Sequence, residues 1–214
     1  MVEGRGTGRR ATFHHGDLAD ALVAAASELI AARTGPDFSL REVAEAVGVS
    51  HTAAYRHFAA KVDLVAEIAR RGFVALDAAV RAAAEGAGDP RGALFAAGLA
   101  YVAFAEAHPG AYRVMFLGGL CDPERHPGSA EAAAVAFATL VATVARAQGA
   151  GAARADVGAE ELASALWAAE HGHATLLLDG LIRDGGDGPC GAPAAARSVL
   201  IETMLAGLAP PGDR

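Results

Sequence analysis

The stretch SLREVAEAVGVSHTAAYRHFAAK, from Ser39 to Lys61, decides the fold. Ser39 followed three residues later by Glu42 is a capping box, in which each side chain satisfies a backbone N–H at a helix start. Leu40, Val43, Ala44 and Val47 recur at the spacing of one buried helical face. Gly48 ends that helix, because a residue without Cβ tolerates the positive φ of a tight exit. Ser50 then stands as the N-cap of a second helix, about His51 to Phe58. Lys61 opens a third. Polar and aromatic side chains crowd the second helix: His51, Thr52, Tyr55, Arg56 and His57.

Two short helices around a Gly-Val-Ser break meet the needs of a helix-turn-helix. The small Ala44 allows the steep approach of one helix to the other, and Gly48 makes the turn. Val43, Val47, Val49 and Phe58 anchor the pair. The outer face of the second helix is then free to meet DNA. A plain helical hairpin is the competing reading, with His57 a hydrogen-bonded core histidine and Tyr55 and Phe58 core aromatics.

Working outward, a helix over 17–33 precedes this stretch, with Leu18, Leu22, Ala25, Leu29 and Ala32 as its apolar face. Gly35 and Pro36 stop it. A long helix runs 61–85, and EGAGDP at 85–90 breaks the pattern. Further helices are expected over 90–107 (Asp89 as cap, Pro90 in the first turn), 109–119, 129–148, 158–180 and 193–208. The expectation is an all-α chain of nine helices. A basic arm over 1–14 comes first, then a DNA-binding unit over 15–60 and a helical body over 61–214.

Composition agrees. The chain has 214 residues, 53% of them hydrophobic, which is enough for a substantial core. The net charge of −7 argues against a nucleic-acid binder only when taken whole. Residues 1–71 hold nine Lys and Arg against nine Asp and Glu, so the excess acid lies in residues 72–214. Arg5, Arg9 and Arg10 make the first 15 residues locally basic. That arm is open to two readings, a disordered tail or a minor-groove contact. Two cysteines, Cys121 and Cys190, make no disulfide framework. With neither a signal-peptide core nor an uncharged apolar run of about 18 residues, a soluble cytoplasmic protein with no membrane partner is expected.

The run SLREVAEAVGVSHTAAYRHFAAKVDLV, residues 39–65, resembles the TetR family of bacterial transcriptional regulators. The G-V-S turn, the Y-x-H-F end of the second helix and a Lys three residues later followed by x-x-L carry the likeness. WAAEHG, residues 167–172, is similar to the Trp…His-Gly signature of one C-terminal subgroup. The resemblance implies a ligand-responsive repressor that binds a pseudo-palindromic operator on double-stranded DNA as a homodimer. It puts Tyr55, His57 and Lys61 on phosphates, and Arg41 within reach of DNA. His51, Thr52 and Ala53 stand where base edges are read, and the N-cap Ser50 belongs with the DNA-binding residues. Arg56 stands at a variable position, open to base, phosphate or solvent.

For the body, the resemblance implies that the last two long helices form a four-helix dimer bundle. Leu166, Leu177, Leu181, Ile201, Met204 and Leu208 are the expected interface residues, with ordinary core as the alternative. Tyr101, Phe104, Tyr112, Phe116, Trp167 and His171 are the expected lining of a small-molecule pocket, apolar with a few polar tips. A regulator without a small-molecule ligand is the alternative. No Lys or Arg cluster marks a strongly anionic effector, and no cofactor is implied. No catalytic or metal motif appears. His171 and His173 are the remote enzymatic reading, but two residues apart on a helix their rings diverge by about 200°.

Overall fold

The computed structural model describes residues 15–120, 122–183 and 197–209. The arm with Arg5, Arg9 and Arg10, both cysteines, and positions 193–196 of the expected last helix lie outside these. Among the described residues the chain is all helix: α1 (His15–Arg33), α2 (Leu40–Val47), α3 (His51–His57), α4 (Lys61–Glu85), α5 (Pro90–Ala107), α6 (Pro109–Met115), α7 (Pro127–Gly149), α8 (Ala159–Leu178) and α9 (Arg197–Gly207).

The helix starts follow their caps. Ser39 Oγ accepts the Glu42 N–H, and the Glu42 carboxylate accepts the Ser39 N–H at 2.7 Å, so the capping box is formed. Ser50 Oγ accepts the Ala53 N–H at 3.2 Å. Asp63 accepts the Ala60 N–H at the head of α4, and Asp89 accepts the N–H groups of Arg91 and Gly92, just past Pro90. Gly48 closes α2 at φ 77°, where its N–H reaches the Ala44 and Glu45 carbonyls.

The α1 face differs in phase from the expected one. Leu18, Leu22, Val23, Ala26 and Ile30 are buried, whereas Ala32 is exposed and Ala25 and Leu29 are half-buried. In an alanine-rich helix the apolar stripe has little contrast, and the bulkier Val23 and Ile30 take the inner side. In α3 the buried anchor is Ala54, fully enclosed beside Phe58.

α4 is the spine. It buries Leu64, Ile68, Phe73, Leu76 and Val80, packs on α1 at its start, and meets α5, α6 and α7 along its length. Arg71 bridges to Asp20 of α1 at 2.7 Å. A second apolar cluster joins α5, α7, α8 and α9 through Leu94, Leu140, Val144, Leu162, Leu166, Ile201, Leu205 and Leu208. α7 is long and apolar enough in composition to cross a bilayer, but here it packs on α4, α5 and α8.

α6 lies between the two ends of the molecule. Gly110 sits so close to α1 that a Cβ there would fall 2.0 Å from the Ser27 carbonyl oxygen. At the other end of α6, Arg113 pairs with Asp179 at 2.9 Å and donates to the Leu178 carbonyl, tying α6 to the end of α8.

Candidate nucleic-acid interface and body cavity

The second helix of the turn motif presents one polar face. His51, Thr52, Tyr55 and Arg56 are exposed, Tyr55 to 52%. At 100° per residue these four positions span about 140° of the helix, and the buried Ala54 lies outside that arc. A half-exposed tyrosine beside an arginine has no packing reason. Ser50 is also exposed, with its oxygen already engaged as the α3 cap. His57 is half-buried on the flank, in a groove with Asp63, Arg70, Arg71 and Arg125. Lys61 is exposed at the α4 start, donating to the Pro36 carbonyl at 3.0 Å above the Phe38 ring. Arg41 pairs with Glu45 at 3.1 Å on the open side of α2. Such an exposed pair is weak and exchangeable. Glu42 is held down to about 2, first by the Arg33 hydrogen bond and then by Ser39, so it keeps its charge in the capping box.

The body holds a cavity of about 290 Å³ between α4, α5, α7 and α8, with Phe116 just past α6 in its wall. Its wall is Phe73, Leu76, Val80, Ala97, Tyr101, Phe116, Ala133, Ala136, Phe137, Leu140 and Trp167, with two carboxyls, Asp77 and Glu170. Tyr101, Phe116 and Trp167 were expected here. Tyr112 and His171 stand behind the wall, and Phe104 is packed in the core against His108. Phe104 therefore belongs to the core: its position on α5 turns it away from the cavity.

A relay backs the wall. Trp167 Nε1 donates to Tyr101 Oη at 3.2 Å, the two tyrosine hydroxyls are 3.0 Å apart, and Tyr112 Oη meets His171 Nδ1 at 2.8 Å. Burial pushes Tyr101 up to about 12 and Tyr112 higher still, and it lowers His171. All three are neutral at pH 7, so one ring nitrogen of His171 is a donor and the other an acceptor, and the two hydroxyls complete the chain with Nδ1 in either tautomer. His171 is thus a structural member of this chain, while His173 leaves the helix on another side and is buried.

Glu170, next to His171 on α8, is the unusual group. It is 4% exposed, lies in the cavity wall, and has no hydrogen-bond partner among the described residues. Burial pushes its carboxyl up to about 8. Gly98 of α5 makes the space, since a Cβ there would come 2.8 Å from Glu170 Oε1. Asp77 differs, accepting from Arg81 at 2.9 Å and from Thr139.

The expected interface residues divide. Leu166, Ile201 and Leu208 are buried within the chain's own second cluster, which corrects their assignment to a partner's surface. Their side chains fill the space between α5, α8 and α9. Leu181 is exposed, Leu177 and Met204 are half-buried, and Leu176 and Val199 add 43% and 57% exposed apolar surface nearby.

Residues 22–68 match the family model described as bacterial regulatory proteins of the tetR family. Residues 94–206, more than half of the chain, match that of the tetracyclin repressor-like C-terminal domain. No curated protein matches the chain. Among solved structures, a protein of unknown function from Rhodococcus sp. RHA1 is 31% identical over 92% of this chain and 98% of its own, with a TM-score of 0.73. A transcriptional regulator from Rhodococcus sp. Rha1 is 25% identical over 89% and 95%, with a TM-score of 0.65. The ketosteroid transcriptional regulator of Mycobacterium tuberculosis shares the fold, at 18% identity over 94% and 99% and a TM-score of 0.65.

Proposed function

The chain belongs to the TetR family of DNA-binding transcriptional regulators, and on that premise we propose that it is a repressor released by a small, largely apolar molecule. The observation that carries this reading is the mostly apolar cavity, whose wall includes Phe116 immediately after α6. α6 touches both α1 and α4, the helices that support the turn motif. An occupant that displaces Phe116 biases how α6 bears on α1, and so biases the spacing of two recognition helices.

The protein works in the cytoplasm as a homodimer on a pseudo-palindromic operator, because one α3 contacts too little DNA for strong specificity. Leu176, Leu181 and Val199, with Leu177 and Met204, are the apolar surface left for a second copy on α8 and α9. His51 and Thr52 read bases; Tyr55, His57, Lys61 and Arg41 meet phosphates, and Arg56 has either role. The Trp167…His171-Gly172 subgroup assignment is part of the same reading, supported by the contact of Trp167 and His171 with Tyr101. The protein is a regulator rather than a catalyst.

Footprinting on the DNA flanking its own gene, with and without cell extract, tests this. Two protected half-sites about one helical turn apart, lost on adding extract, are expected. A single protected half-site rejects the dimer, and protection that no extract relieves rejects the effector.

A further inference from the structure

We infer that the cavity takes a small lipophilic cation, an alkyl- or arylammonium, with the Glu170 carboxylate as its counter-ion. This deepens the reading of the cavity as the effector site and rests on it only for the effect on DNA. Burying a carboxyl without a partner is unfavourable, and a folded core carries one only where something offsets it. No protein group does so here among the described residues, and Gly98 leaves the room that brings Glu170 Oε1 against α5. The rest of the wall fits a cation. Phe73, Tyr101, Phe116, Phe137 and Trp167 offer aromatic rings, whose faces attract positive charge most strongly when water is excluded. Asp77, already paired with Arg81, is a second carboxylate in the same wall, and among the described residues no Lys, Arg or His lines it. An anionic ligand would meet the Glu170 carboxyl and, among the described residues, no base in the lining. Trp167 both lines the cavity and is 38% exposed, so the wall reaches the surface there.

The titratable neighbours of Glu170 are Asp77 from α4, Tyr101 from α5 and Tyr112 from α6, with His171 and His173 on its own helix. α7 and α9 bring Phe137, Leu140 and Ile201 to this side, none of which titrates. Burial keeps Glu170 protonated at neutral pH when the cavity is empty. A permanent cation entering the site therefore expels one proton to solvent, and the charge of the cavity stays balanced.

Trp167 is the only tryptophan in the chain, so its fluorescence reports the cavity directly. The probes are benzyltrimethylammonium, its uncharged isostere neopentylbenzene, and 4-phenylbutyrate. The full-length protein should bind the cation at least tenfold tighter than the isostere and should not detectably bind the anion. Affinity for the cation should rise up to tenfold per pH unit between pH 6 and 8 and then level. Calorimetry in two buffers of different ionisation enthalpy should show about one proton released at pH 7. Glu170→Gln keeps the shape and should lose the preference for the cation while keeping the isostere; its thermal melt checks folding. Equal binding of cation and isostere, or no proton release in the wild type, overturns the inference. Operator binding is read separately: a cation that binds through Glu170 yet leaves the operator occupied upholds this inference and rejects the effector reading.

Discussion

At Gly48 the backbone stands at φ 77°, and a Cβ would meet nothing within 4 Å. Space is therefore no obstacle to Gly48→Ala, and its cost is the left-handed backbone alone, roughly 1–2 kcal/mol. Urea unfolding should show that loss, with operator affinity falling as the turn relaxes. Tyr55 and Lys61 act at the opposite boundary of the motif. Both are exposed, so Tyr55→Ala and Lys61→Ala should leave the melting temperature nearly unchanged. Both should weaken DNA binding evenly across operator sequences, and Lys61→Ala should reduce the salt slope of log K by about 0.9, one phosphate contact. Unchanged affinity in both variants at moderate salt rejects this docking face. These residues were legible because the chemistry is local: a cap, a turn and an outward face lie within 23 consecutive positions.

α6 is the element whose role the sequence concealed. Gly110 reads there as an ordinary residue after Pro109, but in the fold its Cα nearly touches α1. In Gly110→Ala the new methyl meets a backbone oxygen, which no rotamer change can move aside. The helices must separate, at a cost of roughly 1–3 kcal/mol. Equilibrium unfolding should show it, and Ser27→Ala should not rescue it, since the clash is with the carbonyl. Helix limits elsewhere followed from punctuation such as Ser39–Glu42, Asp89–Pro90 and Pro109, whose signals act within one turn. The inner faces did not. Alanine fits both core and surface, so α1 and α8 carry weak stripes, and Val23, Ile30 and Glu170 went unassigned to the interior. Leucines at helical spacing mark burial without saying by which chain, which is why Leu166, Ile201 and Leu208 read as interface and lie in the core.

Across the whole molecule, two carboxyls at opposite ends set opposing dependences on pH. Glu42, held down to about 2 at the surface, stabilises the fold above its ordinary 4.5 and loses that contribution as pH falls toward 2. Glu170 is the reverse case. Its folded value of about 8 exceeds the ordinary 4.5, so between these the native state binds more protons than the unfolded chain. Stability then falls as pH rises through that window, by up to about 1.4 kcal/mol per pH unit, and levels above pH 8. Glu170→Gln cannot ionise, so its melting temperature should be flatter between pH 5 and 8 and should exceed that of the wild type most at the alkaline end. Benzyltrimethylammonium, by pairing with the ionised carboxylate, should restore part of the wild-type loss at pH 8 and none in the variant. A wild-type profile that matches the variant's across this range would mean that Glu170 is solvated or paired in the native protein, and the cavity would then have no vacant charge to offer a ligand.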